Sequence, residues 1–407
     1  MKRSEIKQLD TALENFFQEL TTGLGRQEMR QAMADYITGL LLDGNRKSIQ
    51  PMAMRLVSDA SEAEAMRQRL QQCVVQSPWK DDEFRSRLQK TIFKKFEKPE
   101  ALIIDDTGFP KKGNHSVGVH RQYAGCLGRV DNCQVAVSTH IAKRDSSCCL
   151  EMDLYLPQAW AEDAARRQKA GVPEEIEFRT KTDIALSQLD TLNERGVPKL
   201  PVLADAGYGD SANFRKAITD RGFQYLVSIK GDALIWTPNS SPKIPNNASN
   251  IGRPRTKYSD KKNPPMQAQA YAISQGRDVL KKVTWEVSSS GPKTSHFGAA
   301  RICSAYNYSK GAVPGEEEWL IWQWPENKNE PTKYWLSTLP DKIQLKRLIY
   351  MAKLRWRIER DYQEMKEEIG LDHFEGRMWR GFHHHVTLCM AAHTFLVLFR
   401  TIFPPQQ

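Results

Sequence analysis

Hydrophobic spacing changes character at residue 101. From residue 5 to about 97, apolar side chains return every three or four positions: Leu9, Leu13, Phe16, Phe17 and Leu20 in one stretch, Met33, Tyr36, Ile37 and Leu40 in another. That period gathers them on one face of a helix, so the spacing predicts a helical N-terminal region. Beyond it, Ala101-Leu102-Ile103-Ile104 is an unbroken apolar run that ends abruptly in Asp105-Asp106-Thr107-Gly108. So short a run without polar alternation reads as a buried strand that opens at its end into a site.

The strand-like pattern continues downstream. Val130, Cys133, Val135 and Val137 mark a second strand, and Leu150, Met152, Leu154 and Leu156 alternate with Glu151, Asp153 and Tyr155 in a third. A helix follows over Asp183 to Arg195, stopped by Gly196, and Leu200 to Ala204 is another buried strand running into Asp205. A helix over Ser211 to Asp220 and a strand over Phe223 to Ile229 complete an order that fits an open mixed sheet with helices packed on it. Residues 233–340 interrupt this order. Ile235 to Asn263 is rich in Pro, Ser, Asn, Arg and Lys and reads as a loop; β-like pieces follow at Val279 to Val287, Ala299 to Ala305 and Trp319 to Trp324. Asp341 to Glu368 is strongly helical, and Trp379 to Phe399 reads as an apolar helix or helix pair. The spacing thus divides the chain at 1–97, 98–232, 233–340 and 341–400.

Composition narrows the function classes. Of 407 residues 40% are hydrophobic, enough to bury a sizeable core, and 59 Lys and Arg against 49 Asp and Glu leave a formal charge of +10. That excess favours a polyanion, with nucleic acid the leading partner. Seven cysteines are scattered with no C-x-x-C pair, so neither a disulfide framework nor a zinc knuckle is indicated. The N-terminal residues carry no apolar stretch, and the run Val386 to Phe399 is shorter than a membrane span and contains His393; the expectation is a cytoplasmic protein with no membrane partner. Arg46-Lys47-Ser48-Ile49-Gln50-Pro51-Met52 sets cations just before a helix, which suits either phosphate docking or a solvated turn.

Three carboxylates stand out. Asp105 and Asp205 each follow a buried run, and Glu359 lies on the helical stretch after residue 341. In an open sheet the strands before the two aspartates can lie side by side. Hard divalent cations take oxygen ligands, so a few carboxylates on rigid elements suffice for metal-assisted phosphodiester chemistry. Arg355, Glu359, Tyr362 and Lys366 are spaced by four, three and four, which would project a carboxylate and flanking cations from one helical face. The plainer alternatives are an aspartate capping a helix and an exposed face of ion pairs.

These residues resemble a known family. Asp105-Asp106-Thr107, Leu203-Ala204-Asp205-Ala206-Gly207-Tyr208-Gly209 and Arg355-Trp356-Arg357-Ile358-Glu359 with Lys366 are similar to the three acidic blocks of bacterial insertion-sequence DDE transposases. Thr107-Gly108-Phe109-Pro110-Lys111-Lys112-Gly113 and Gly370-Leu371-Asp372-His373-Phe374-Glu375-Gly376-Arg377 resemble a subgroup of DDE superfamily endonucleases. The resemblance runs from the first block to Arg380. It departs from the family where a tyrosine is expected near the third acid: Ala352 stands there, with Tyr350 two residues earlier.

The resemblance implies an α/β (α+β) protein with an RNase H-like mixed sheet flanked by helices. Residues 1–97 would be a helical DNA-binding region, 98–232 and 341–400 a split catalytic core, and 233–340 a β-rich insertion. Asp105, Asp205 and Glu359 would bind two Mg²⁺ ions, with Mn²⁺ as a substitute. Asp106 is the alternative first acid; Asp105 is favoured because it continues the strand, where alternation turns Asp106 the other way. Arg355, Lys366, Tyr362, Lys111 and Lys112 would contact phosphates, and Tyr334 or Trp335 would either stack on a flipped base or pack in a strand. The implied partner is double-stranded DNA, both terminal inverted repeats and target, bound by at least a dimer in the bacterial cytosol at the nucleoid. A transposase-derived repressor and a Mg²⁺-dependent endonuclease without strand transfer are the competing readings. His383-His384-His385 diverge around a helix and cannot all reach one metal ion. Arg253, Arg255, Lys257, Lys261 and Lys262 read as a DNA-contacting or a solubilising loop.

Overall fold

The computed structural model describes residues 3–125, 128–244, 257–288 and 291–402. Cys126, Arg253 and Arg255 lie outside them. In chain order the elements are α1 (Arg3–Thr21), α2 (Gln27–Leu41), α3 (Ile49–Leu56), α4 (Ala63–Val75), α5 (Asp81–Lys95), β1 (Ala101–Pro110), β2 (His120–Ala124), β3 (Arg129–Ala142), β4 (Ser147–Tyr155), α6 (Gln158–Ala161), α7 (Ala164–Ala170) and α8 (Lys181–Glu194). There follow β5 (Val202–Ala204), α9 (Ala206–Gly209), α10 (Ala212–Asp220), β6 (Tyr225–Ile229), β7 (Leu234–Trp236), β8 (Met266–Gln267), α11 (Ala268–Ser274), β9 (Lys281–Ser288), β10 (Gly291–Ser304), β11 (Glu317–Gln323), β12 (Lys333–Ser337), α12 (Leu345–Leu354), α13 (Trp356–Glu367) and α14 (Trp379–Ile402). The architecture is mixed α/β, with parallel and antiparallel strands in a large sheet flanked by helices, as in an RNase H-like core.

The chain forms two compact units. The first comprises residues 1–100, 104–197 and 356–407; the second comprises 101–103 and 198–355. In the first, β3 is the central strand, pairing with β2, β4 and β1. β1 does not stop at Ile104 as the apolar run suggests. Thr107, Gly108 and Phe109 are also buried, the Phe109 ring meets Phe382 edge-on at 5.6 Å, and the strand continues to Pro110. Its register on β3 is fixed at both ends: the Glu100 amide donates to the Ala142 carbonyl at 2.8 Å and the Lys111 amide to Asn132 at 2.9 Å. Asp105 and Asp106 therefore sit in mid-strand. The hairpin partner β2 had no sequence signal, because it is a mostly exposed edge strand of polar residues.

α14 is a single helix of 24 residues rather than a pair. Counted from Trp379 it is long and apolar enough to cross a membrane, but 89% of that stretch is buried inside the protein, where it packs on α2, α4, α5 and β4. It is the core helix of this unit.

In the second unit, residues 101–103 lie beside β5, with the Leu102 amide donating to Pro201 at 2.9 Å. This is the neighbouring of the two acid-bearing strands that an open sheet allows. β5 pairs parallel with β6, and β6, β12, β11, β10, β7 and β8 continue by antiparallel pairing, with β9 folded onto β10.

Candidate active site

β1 and α13 organise the acids of the first unit. Asp105 accepts the Asp106 amide through Oδ1 at 2.8 Å, while the Asp106 carboxylate pairs with Lys181 at 3.0 Å. Tyr362, buried on α13, shares a 2.7 Å hydrogen bond with the Ser138 hydroxyl. Burial first, and then the charge of Asp105 more than that of Asp106, push its phenol well above the ordinary range.

α13 is anchored on one side and open on the other. Ile358, Asp361, Tyr362 and Met365 are buried, and Glu359 is exposed. Asp361 takes a hydrogen bond from His140 Nδ1 at 2.7 Å and one from Ser147 Oγ at 2.6 Å. Burial opposes its ionisation, but His140 and Ser147 outweigh it and hold the carboxyl below its usual range. Asp361 was not among the sequence candidates. Its only signal is its position two residues after Glu359, on the opposite side of the helix.

The expected single face of four residues is not continuous. α12 ends at Leu354 and α13 begins at Trp356, so Arg355 caps the first helix and Glu359, Tyr362 and Lys366 belong to the second. Lys366 Nζ donates to the Gly108 carbonyl at 2.8 Å and lies 5.4 Å from the Phe109 ring centre, tying α13 to β1.

In the second unit Asp205 follows β5 and caps α9, accepting the Tyr208 amide at 3.3 Å. The glycines of its motif have steric causes. A Cβ on Gly209 would run into the Ser228 carbonyl oxygen, and one on Gly207 would stand 3.0 Å from Asp205 Oδ1. Both keep the turn after Asp205 tight.

Other candidates are held by the fold. Lys111, mostly buried, donates from Nζ to the Phe374 carbonyl at 2.8 Å, while Lys112 is exposed. Tyr334 and Trp335 are 6% and 4% exposed in β12; the Tyr334 hydroxyl donates to Pro331, and the Trp335 ring faces the Lys353 ammonium at 5.0 Å. The three consecutive histidines are buried. His383 bonds the Trp379 carbonyl, His384 stacks on Trp79 at 3.7 Å, and His385 bonds the Tyr36 hydroxyl at 2.9 Å.

Asp105, Asp205 and Glu359 offer only carboxylate oxygens, the donor set that a hard divalent cation takes. Asp105 and Glu359 belong to the first unit and Asp205 to the second. Among the described residues, no three His, Cys, Asp or Glu side chains are gathered closely enough to hold a metal ion.

Comparison with known proteins places the chain. It is 31% identical over 199 residues to a protein of Microchaete diplosiphon described as a probable transposase for insertion sequence element IS701. The match spans 48% of this chain and 48% of that protein, about half the length of each. Residues 16–292 match the profile of the DDE superfamily endonucleases, a span that takes in Asp105 and Asp205, begins within α1 and ends before Glu359. Members of that family use divalent metal ions. With well over half of its length matched, the chain belongs to the DDE superfamily endonucleases.

Proposed function

We propose that this chain is the transposase of an insertion sequence. It binds the element's terminal inverted repeats in double-stranded DNA, cleaves at their ends and joins them to target DNA, acting as a homodimer in the bacterial cytosol. The observation that carries this reading is the family match across residues 16–292, which includes two of the three acids; the transposase relative supports it.

In this reading Asp105, Asp205 and Glu359 would hold two Mg²⁺ ions, or Mn²⁺ in their place. When bound, such ions generate the nucleophile and stabilise the leaving oxygen of an in-line displacement. The chain's own residues supply position. Asp361 and Tyr362 fix the buried side of α13 and so present Glu359 from the other. Arg355, Lys366 and Lys112 would orient phosphates, with Lys111 holding the Phe374 carbonyl beside Lys112, and positioning is a large part of phosphoryl-transfer catalysis.

The test incubates the protein and Mg²⁺ with labelled DNA carrying the element's inverted-repeat ends. Nicked ends and joined products are expected from the wild type. Asp205→Asn should abolish both while DNA binding and the circular dichroism spectrum persist. Wild-type binding without any cleavage would indicate a repressor, cleavage without joining a nuclease, and a fully active Asp205→Asn would remove that residue from the metal site.

A further inference from the structure

We propose that a continuous trough on the first unit carries the sugar–phosphate backbone of a DNA duplex. This rests on the transposase reading and adds where the duplex docks. Three neighbouring cavities share walls. One, about 340 Å³, lies at the start of α3 and is lined by Ser48, Gln50 and Arg67 among others. It shares His373, Phe374 and Glu375 with a second, about 520 Å³, walled by Arg46, Lys112, His115 and Arg377. The second shares His115 and Arg377 with a third, about 130 Å³, which holds Lys169 and Arg166, the latter lying 3.8 Å over the Trp160 ring.

The trough's charge is one-sided. Eight Lys and Arg side chains line the three cavities, against two acids, Asp372 and Glu375. Several of those cations serve the fold: Lys47 Nζ donates to the Leu40 carbonyl at 2.9 Å, Lys111 to Phe374, and Arg46 pairs with Glu375 at 2.6 Å. Lys112, Lys169 and Arg377 are exposed and, among the described residues, make no ion pair. Cations strung along an open, elongated surface suit a polyanion better than one small anion.

The walls are built rather than incidental. Three segments that stood out in the sequence, at 46–52, 107–113 and 370–377, meet here. The Lys47 amide donates to His373 Nδ1 at 3.0 Å, Lys111 Nζ reaches Phe374, and the Val117 amide donates to the Arg377 carbonyl at 3.0 Å. Gly370 adopts φ +79°, and a Cβ there would strike the Lys47 side chain, so the seam tolerates only glycine.

The experiment measures binding of the full chain to a fluorescein-labelled mixed-sequence DNA duplex by anisotropy across a salt series. The triple variant Lys112→Ala, Lys169→Ala, Arg377→Ala should flatten the slope of log K against log salt by about 3, close to 0.9 per lost phosphate contact. A control pair, Lys90→Ala with Arg144→Ala, lies outside the trough and should keep the wild-type slope. Charge reversal at Arg377 alone should weaken binding further than its alanine variant. A triple variant with the wild-type slope overturns the trough while leaving the transposase reading intact. Tighter binding of an RNA duplex of the same sequence also overturns it. Wild-type protein that binds no DNA defeats the transposase reading itself.

Discussion

The two units treat buried charge differently. In the first, Arg85, with a 5% exposed side chain, reaches Asp81, Glu151 at 2.8 Å and Asp153 at 3.0 Å, and Arg195 adds a second cation to Glu151. Asp361 is held ionised by His140 and Ser147. In the second, burial pushes groups toward neutrality. The Glu318 carboxyl, bonded by the Tyr225 hydroxyl at 2.6 Å, is raised, and Lys353 is lowered to about 7. The Lys353 ammonium lies 4.8 Å from the Trp285 ring centre, 5.5 Å from Phe297 and 5.0 Å from Trp335. Paired charges tie distant segments together, here α5 to β4 and β3 to α13, and a desolvated charge with no such partner does not. The first unit has its own exceptions: Glu151 is raised by its deep burial despite its two cations, and burial lowers His384, His385 and the Lys47 and Lys111 ammonium groups.

The sharpest way to break this contrast is to delete one cation from the paired unit. Arg85→Met should cost about 3–5 kcal/mol, because it leaves Glu151 and Asp153 buried beside a lost partner. Glu318→Gln in the second unit should cost under about 1.5 kcal/mol, since a group already pushed toward its neutral form loses little when made neutral. Urea unfolding curves measure both, and equal costs would dissolve the distinction.

Acid provides the next test. Burial lowers His384 and His385 to about 4, against 6.5 for an ordinary histidine. Their folded values lie below their unfolded ones, so between pH 6.5 and 4 the unfolded chain binds protons that the folded chain refuses. Stability is full above pH 6.5 and declines toward pH 4, by up to about 1.4 kcal/mol per pH unit for each histidine. His385→Gln should remove part of that decline in urea titrations at pH 7 and 5. A variant with the wild-type slope would mean that His385 does not set it.

How much of this was legible beforehand depends on whether the signal was local. Apolar runs before Asp105 and Asp205 marked their strands, and three- and four-residue spacing marked the N-terminal helices. The extent of β1 was not legible, because the partners that hold its end, Phe382 against Phe109 and Lys366 on the Gly108 carbonyl, lie more than 250 residues away in the chain. Glu151 and Asp153 read as an outward polar row, yet α5 covers that face of β4 and supplies Arg85. Of the candidate site, residue identity was visible and engagement was not. The sequence could not say that Lys111 would be spent on a carbonyl, that the break at Arg355 would split the helical face, or that Asp361 would brace Glu359 from behind.

The last expected effect concerns Lys353 itself. Its folded value of about 7 lies below the 10.5 of a free lysine, so between those values the unfolded chain holds a proton that the folded chain has released. Raising the pH from 7 to 10 should therefore stabilise the wild type relative to a variant with no amine. Lys353→Met fills a similar volume among Trp285, Phe297 and Trp335 and gives up one 2.7 Å hydrogen bond to Gln323. At pH 7 the variant should match the wild type or exceed it by up to about 2 kcal/mol, and the gap should narrow by pH 10. Taking the difference between the two proteins at each pH cancels every other lysine and tyrosine. A gap independent of pH would show that the amine stays charged within its ring of aromatics, and the second unit would then keep its buried charge as the first one does.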